Sequence, residues 1–293
     1  MVFISSQVRF LIGVEHVTEK VVWAMDRIEK ALNLAKNGEH GRTKVSAMVG
    51  HKAQQPQHVE YTETKVVQCS QKHLRENRII AGMGQNEYWD AYRILRTQVL
   101  QILRARRWST LGITSPTPGN GKSLTAINLA ISLAKEVNHT VLLVDFDLRR
   151  PSIHKYFGYD PEYGVGDYIL NDIPINEILF SPSIARLTVL PGYQAIADSS
   201  EMITTPKMLK LMEELKTRYP KRLVIYDLPP LLVNDDALAF SPNVDAMLLV
   251  LEEGQTQKQE LVRCLEILSE VNVIGTVLNK AKDVKEGYYG YGY

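Results

Sequence analysis

The segment Ser115-Pro-Thr-Pro-Gly-Asn-Gly-Lys-Ser123 lies between a short apolar run and a helix-like stretch that extends from residue 124 to residue 135. The order of these parts is strand, glycine-rich loop and helix. Backbone N–H groups of such a loop point at phosphate oxygens, a following lysine adds a positive charge, and a following hydroxyl can bind magnesium. The segment therefore predicts a P-loop, with Lys122 and Ser123 in the lysine and hydroxyl positions.

The predicted loop departs from the strict motif at one position. The motif has a glycine five residues before Gly121, where this chain has Pro116. The alternative interpretation is an ordinary glycine- and proline-rich turn in front of a helix. We favour the nucleotide site because a strand precedes the loop and acidic strands follow it. The residues predicted to contact the nucleotide are Pro118, Gly119, Asn120, Gly121, Lys122, Ser123, Leu124 and, at the end of a later strand, Asn279.

Two later apolar runs end in aspartates. Residues 141–144 resemble a strand buried on both faces, and Asp145 and Asp147 follow at its carboxyl end, two residues apart and therefore on one face. Residues 223–226 form another such run and end in Asp227, the expected Walker B acid. A lone aspartate after a strand usually marks a turn, but three strand ends that converge on one loop predict a phosphoryl-transfer site. Carboxylates suit a hard cation and the proton of an attacking hydroxyl.

The roles predicted at this site follow from charge. Lys122, Asp145, Asp147 and Asp227 are the candidate catalytic residues, and Ser123 joins the three aspartates as a candidate magnesium ligand. Asp145 is predicted either to accept the proton of the attacking hydroxyl or to bind magnesium. The cofactors predicted are ATP and Mg²⁺. A guanine-binding motif at Asn279 would need an aspartate at position 282, where this chain has lysine.

The rest of the chain alternates apolar runs with amphipathic stretches. Strands are expected at residues 187–190, 223–226, 246–251 and 273–278, and helices at residues 206–218 and 257–271. This alternation predicts an α/β fold of the P-loop NTPase class, with a mainly parallel sheet flanked by helices on both faces. All of the loops named above would then lie at the carboxyl edge of that sheet.

The three motifs together resemble a known family. Pro-Gly-x-Gly-Lys-Ser at 118–123, Asp-x-Asp-Leu-Arg-Arg-Pro at 145–151 and Asp-x-Pro-Pro at 227–230 are similar to motifs of the bacterial tyrosine autokinases of capsular and exopolysaccharide synthesis. The likeness extends from about Asp90 to the C-terminus. It implies an ATP-dependent protein-tyrosine kinase that regulates the synthesis or export of such polysaccharides. It also implies a cytoplasmic protein, recruited to the inner face of the plasma membrane by a separate membrane protein of the chain-length-determinant type, which also activates it.

The C-terminal segment strengthens this resemblance. It contains Tyr288, Tyr289, Tyr291 and Tyr293, separated by glycines that disfavour a regular helix or a packed strand. In the family that the chain resembles, such a cluster is the phosphoacceptor and is modified by a neighbouring subunit. The alternative is an aggregation-prone or stacking tail without that role.

A helix is expected upstream of the P-loop. Tyr92 and Leu95 recur at helical spacing, and this places Arg93 and Arg96 on one flank, after Asp90. The resembled family uses a Glu-x-x-Arg-x-x-Arg pattern here to contact the next protomer and to form rings. The resemblance therefore implies a ring-like homo-oligomer, although Asp90 is shorter than glutamate. A solvated helix face is the alternative.

Composition agrees with a soluble enzyme. The chain has 293 residues and a formal net charge of +1, so nothing indicates a nucleic-acid partner. The predicted organisation is an N-terminal segment with an amphipathic helix (1–36), a polar linker (37–85), the kinase domain (86–283) and the tyrosine-rich tail (284–293). The helical pattern that begins at Met25 suggests that translation starts there.

Two other functions are compatible with the same fold. A regulatory ATPase switch of the partition and division-site kind would hydrolyse ATP without phosphorylating a protein. Such proteins usually carry a lysine five residues before the P-loop lysine, where this chain has Thr117. A catalytically silent scaffold is the third candidate, and the complete set of lysine, serine and aspartates disfavours it.

Overall fold

The computed structural model describes residues 2–4, 8–12, 64–84, 87–219 and 221–281. Ten strands in this part of the chain form one sheet. The strands are β1 (Val2–Ile4), β2 (Val8–Ile12), β3 (Lys65–Val66), β4 (Thr110–Thr114), β5 (Thr140–Asp145), β6 (Phe180–Ser181), β7 (Leu187–Leu190), β8 (Arg222–Asp227), β9 (Ala246–Glu252) and β10 (Val273–Asn279). The predicted amphipathic helix near Met25 and the tyrosine-rich tail lie outside the described residues.

Helices connect most of these strands. They are α1 (Gln71–Glu76), α2 (Glu87–Arg106), α3 (Lys122–Ala134), α4 (Ile153–Tyr156), α5 (Val165–Asn171), α6 (Ile175–Ile178), α7 (Ser199–Ile203), α8 (Pro206–Thr217), α9 (Asp236–Phe240) and α10 (Lys258–Ile267), with 3-10 turns at Ile80–Gly82 and Ser241–Asn243. None of the helices described here is long and apolar enough to cross a membrane.

The centre of the sheet is parallel. Its strands run in the order β10-β9-β4-β8-β5-β7, and each pairs with its neighbours in parallel. Among the described strands, antiparallel pairs lie towards the two sides, where β1 joins β2, β2 joins β10 and β6 joins β7. The predicted α/β fold with a mainly parallel sheet is confirmed.

Helices cover both faces of the sheet because successive strand residues point to opposite sides. In β5, Val141 and Leu143 belong to a buried cluster with α2 and α3, whereas Leu142 and Val144 belong to a second cluster with α8 and α10. Strand β5 thus supplies both cores, which is why it is apolar at consecutive positions.

Strand pairing brings the predicted functional positions to one edge. The strand before the P-loop, β4, pairs with β8, and β8 pairs with β5. Within the second pair, Asp145 lies in register with Asp227. Parallel strands end at the same edge of a sheet, so the P-loop and both acidic strand ends meet there.

The N-terminal boundary of the domain is a correction to the sequence analysis. Residues 64–84 fall inside the predicted polar linker, but they form β3, α1 and a 3-10 turn. Ile79 and Ile80 are fully buried in the core. The Asn128 side chain of α3 accepts a hydrogen bond from Ile80 N (3.0 Å) and donates one to Arg78 O (3.1 Å). The linker prediction is wrong here because sparse apolar residues without periodicity still bury well when a neighbouring helix supplies the partners.

Candidate active site

The P-loop is shaped by glycines with left-handed backbone. Gly121, with φ of 91°, comes directly before α3, and Gly119 has φ of 87°. Side chains with a Cβ atom are strained in this region, so the backbone favours glycine at both positions. As a result α3 begins at Lys122, directly at the loop, and its N-terminal N–H groups face the place where phosphates bind in such loops.

Asn120 stabilises the loop by hydrogen bonds. Its Oδ1 accepts hydrogen bonds from the Thr117 N–H and hydroxyl, each at 3.1 Å. Its backbone carbonyl accepts one from Asn279 Nδ2 at 2.8 Å. The structure therefore brings Asn279, a predicted nucleotide contact, to the P-loop, and shows that its amide holds the loop backbone.

The loop after β8 supports the P-loop where the usual glycine is replaced. Leu232 N donates to the carbonyl of Pro116 at 3.1 Å, and Leu231 N donates to the carbonyl of Ser115 at 2.8 Å. These bonds use backbone carbonyls, and proline retains its carbonyl although it lacks an N–H. Pro116 is therefore compatible with a fixed loop at this position.

Lys122 lies among the three predicted acidic residues. Its Nζ is 2.8 Å from Asp147 Oδ2 and 3.3 Å from Asp227 Oδ1, and it donates to Ser123 Oγ at 3.3 Å. All of these side chains are buried or nearly so. One ammonium group thus contacts two strand-end carboxylates and the predicted magnesium ligand.

The charges in this cluster shift the pKa values of its members. Burial opposes the charge on Lys122, but Asp227, Asp147 and Asp145 outweigh it and raise its pKa. Burial and the nearby Asp227 raise the pKa of Asp145 to about 7, although N–H donors and Lys122 favour its charged form. Burial also raises the pKa of Asp227, against the attraction of Lys122. A single lysine does not balance three buried carboxylates.

Asp145 is held by the turn that follows its strand. Its Oδ2 accepts hydrogen bonds from Ser152 N (2.8 Å) and Ile153 N (2.9 Å), at the start of α4. Gly192 packs closely against this turn, and an added Cβ there would lie 2.6 Å from Pro151 Cβ and 3.4 Å from Asp145 Cγ. This close approach of Gly192 to Asp145 was not predicted from the sequence.

The donor set fits Mg²⁺. Asp145 Oδ1 and Asp227 Oδ2 are buried without a hydrogen-bond partner in the described part of the chain, and both belong to the acidic cluster. In the same residues no group of three or more His, Cys, Asp or Glu side chains is arranged as a complete metal site. Mg²⁺ is typically held by one or two carboxylates together with substrate phosphates, so an incomplete carboxylate site beside a phosphate loop has suitable ligands.

The first arginine after Asp147 is directed away from the acidic cluster. Arg149 does not contact Asp145 or Asp147 but forms a fork with Asp236, through Nε at 3.1 Å and Nη2 at 3.2 Å. Burial opposes the charge on Asp236, but hydrogen bonds from Arg149 and Ser199 lower its pKa. Sequence reasoning missed this pair because 87 residues separate its members and no motif links them.

The helix predicted to form an oligomer contact is present as α2, but its two arginines differ. Arg93 is exposed and pairs with Asp90 at 3.2 Å. Arg96 binds within its own chain, to Glu136 at 3.4 Å and to the carbonyl of Ser132 at 3.3 Å. The prediction that both arginines share one flank therefore holds only in part, since Arg96 is turned towards α3.

Comparisons with known proteins agree with this geometry. A family model described as the CobQ/CobB/MinD/ParA nucleotide binding domain matches residues 111–288. The chain is 30% identical over 204 residues to the tyrosine-protein kinase YwqD of Bacillus subtilis, and the match covers 69% of this chain and 85% of that protein. The chain belongs to the bacterial tyrosine-protein kinase family. The resemblance inferred from the three motifs is thereby confirmed.

Other members of the family differ in length. The match to the putative tyrosine-protein kinase EpsB of Ralstonia nicotianae is 30% identical and covers 69% of this chain but 27% of that protein. Among solved structures, the kinase domain of the Escherichia coli tyrosine kinase ETK superposes with a TM-score of 0.61 at 30% identity, covering 70% of this chain and 80% of that domain. The chain thus corresponds to most of YwqD and to about a quarter of EpsB.

Gly119 and Gly121 provide a matched test of how much the hydrogen bond from Asn279 stabilises the P-loop. An added Cβ at Gly119 meets nothing within 4 Å, whereas one at Gly121 would collide with Asn279 Nδ2. We expect Gly119→Ala to cost about 1 kcal/mol in the free energy of unfolding, from backbone strain alone. Gly121→Ala should cost about 1 kcal/mol more, because it also breaks the bond from Asn279 to the Asn120 carbonyl.

Chemical denaturation of the nucleotide-free protein measures both values. In the background of Asn279→Ala the extra cost of Gly121→Ala should disappear. Equal costs for the two glycine variants in the wild-type background would contradict the bracing role of Asn279.

Proposed function

We propose that this chain is a protein-tyrosine kinase that transfers the γ-phosphoryl group of ATP to tyrosine. The observation that carries the proposal is the position of Lys122, between Asp147 and Asp227 and beside the Ser123 hydroxyl. In P-loop enzymes these groups hold the β- and γ-phosphates and the metal ion. Membership of the tyrosine-protein kinase family supports tyrosine as the acceptor.

The residues of the site would divide the reaction between them. Lys122 and the loop N–H groups hold the β- and γ-phosphates, so the bond between the γ-phosphorus and the bridging oxygen is oriented for cleavage. Mg²⁺, held when bound by Ser123, Asp147 and Asp227, would supply charge neutralisation on the phosphates. The tyrosine oxygen forms the new bond to phosphorus, and ADP leaves.

Asp145 is the best candidate to accept the tyrosine proton. A free phenol has a pKa near 10, so its deprotonation needs a base in the site. The pKa of Asp145, raised to about 7 by burial and by Asp227, makes it a stronger base than an ordinary aspartate. The N–H groups of Ser152 and Ile153 fix its Oδ2 and leave Oδ1 without a partner.

We propose that the acceptors include Tyr288, Tyr289, Tyr291 and Tyr293, phosphorylated by a neighbouring subunit of a ring-like oligomer. The regulated process would be exopolysaccharide or capsule synthesis. The partner would be a separate membrane protein of the chain-length-determinant type, which recruits the chain to the inner face of the plasma membrane and activates it. Unchanged surface polysaccharide in cells that carry only Lys122→Met would contradict the cellular role.

The kinase assignment is tested by mapping phosphate. Purified protein is incubated with Mg-ATP, with and without the cytoplasmic segment of the proposed partner, and digested for mass spectrometry. Phosphotyrosine is expected on the C-terminal peptide and should be absent in Lys122→Met, because that variant loses the charge that binds the phosphates. A variant with all four tail tyrosines changed to Phe should still bind ATP.

The outcomes separate the candidate functions. ATP hydrolysis with unmodified tyrosines, even with the partner segment, would contradict the kinase and favour the switch ATPase. Full phosphotyrosine in the four-Phe variant would place the acceptor elsewhere. Unchanged activity in Lys122→Met would remove the P-loop assignment.

The oligomer contact is best tested at Arg93. Replacing Arg96 would also break its bonds to Glu136 and Ser132, whereas Arg93 contacts only Asp90 among the ion pairs described. We expect Arg93→Ala to reduce the oligomer size in analytical ultracentrifugation and to slow phosphorylation between subunits. Arg263→Ala is the matched control, since Arg263 forms an equally exposed pair with Glu266, also three residues away. An identical sedimentation profile for both variants would count against the contact.

A further inference from the structure

Asp236 is the centre of a buried polar network outside the phosphate site. Its side chain is 1% exposed and accepts the two-nitrogen fork of Arg149. The Ser199 hydroxyl also donates to its Oδ2, and the Ser200 hydroxyl donates to its Oδ1 at 2.6 Å. A buried carboxylate with this many donors is held in a single position, and a planar guanidinium fork fixes the direction of the contact.

Arg149 belongs to the turn that orients Asp147. In this turn Arg150 N donates to Asp147 Oδ1 at 3.1 Å and to the carbonyl of Asp147 at 3.0 Å. The other oxygen of Asp147, Oδ2, contacts Lys122. The guanidinium of Arg149 therefore anchors the same turn that aims the Asp147 carboxylate at the P-loop lysine.

Asp236 begins α9, and α9 also contacts the strands that carry the other two carboxylates. Phe240, at the end of this helix, packs on Phe146 with ring centroids 4.4 Å apart and on Tyr226 at 4.9 Å. Phe146 lies between Asp145 and Asp147, and Tyr226 comes immediately before Asp227. Helix α9 thus contacts the Asp147 turn through Asp236, and through Phe240 it contacts β8 and the residue that follows β5.

We propose that Arg149 and Asp236 are positioning residues that hold the Asp147 carboxylate, relative to Asp227, in the arrangement that binds Mg²⁺ with ATP. The inference rests on the proposed function, because the arrangement matters to phosphoryl transfer only if the chain binds Mg-ATP. Residues that orient metal ligands typically change metal affinity or activity by about 10- to 100-fold when they are replaced.

The test removes both charges at once. In Arg149→Gln with Asp236→Asn, no uncompensated charge stays buried, so this double variant is more suitable than either single change. The matched control is Lys216→Met with Asp245→Asn. That pair has an Nζ–Oδ1 distance of 2.7 Å and lies at the opposite edge of the sheet, where Asp245 accepts hydrogen bonds from Ser109 and Thr110 at the start of β4.

Three quantities are measured for each protein. They are the melting temperature, the affinity for fluorescent ADP as a function of Mg²⁺ concentration, and the kcat of tyrosine phosphorylation with Mg-ATP. For the Arg149 and Asp236 double variant we expect ADP affinity without Mg²⁺ to stay within about twofold. The Mg²⁺ concentration for half-maximal enhancement of binding should rise about tenfold, and kcat should fall at least about tenfold. The control variant should match the wild type in both Mg²⁺ dependence and kcat.

Two results would overturn the inference. One is a folded double variant with the Mg²⁺ dependence and kcat of the wild type, and the other is an equal loss in the control variant. If the double variant does not fold, Arg149→Lys replaces it, since lysine keeps the charge but loses the two-nitrogen fork. The Arg149→Lys variant should show a smaller loss in the same direction, and wild-type values for it would also overturn the inference.

A wild-type protein that binds Mg-ADP but makes no phosphotyrosine would contradict the proposed function. In that case the Mg²⁺ dependence of ADP binding still decides the positioning role.

Discussion

The structure of the site depends on the contact between one ammonium group and a cluster of three buried carboxylates. Lys122 contacts Asp147 and Asp227 directly, and Asp145 lies close enough to raise the pKa of Lys122 further. One positive charge cannot balance three negative charges away from water. The pKa of Asp145 is therefore raised. A divalent cation would remove this deficit of positive charge, and the phosphates of a nucleotide would supply further ligands to it. The proposed role of Mg²⁺ follows from this imbalance, because a bound cation would stabilise the carboxylate cluster.

The surrounding fold holds this unfavourable cluster in place. Parallel pairing sets Asp145 in register with Asp227, and the P-loop strand β4 lies directly beside β8. The faces of the strands opposite the carboxylates are packed by aromatic rings, with Phe146, Tyr226 and Phe240 in mutual contact. Strain and uncompensated charge at functional sites persist when the rest of the structure fixes their geometry. Here the apolar packing on both faces of the sheet supplies that constraint.

Much of this arrangement could be predicted from the sequence because its signals are local. Buried parallel strands are continuous apolar runs, so the strand predicted at 187–190 coincides with β7, and aspartates at strand ends identify the carboxyl edge. The pairing of Arg149 with Asp236 could not be predicted, because it depends on how two loops 87 residues apart meet in space. The direction of Arg96 depends likewise on Glu136, which lies just after the end of α3. The burial of residues 79 and 80 was missed because two adjacent isoleucines carry no periodicity.

The pH dependence of stability in the nucleotide-free protein tests the central claim most directly. The pKa of Asp145 is higher in the folded than in the unfolded protein, so the folded state binds the extra proton and stability falls as pH rises from about 4 to about 7. Asn at this position cannot titrate. Without Mg²⁺, the free energy of unfolding of the wild type should therefore fall relative to that of Asp145→Asn by on the order of 2–4 kcal/mol across this range. A difference that stays constant, or that grows in favour of the wild type with rising pH, would contradict the account of an unbalanced acidic cluster.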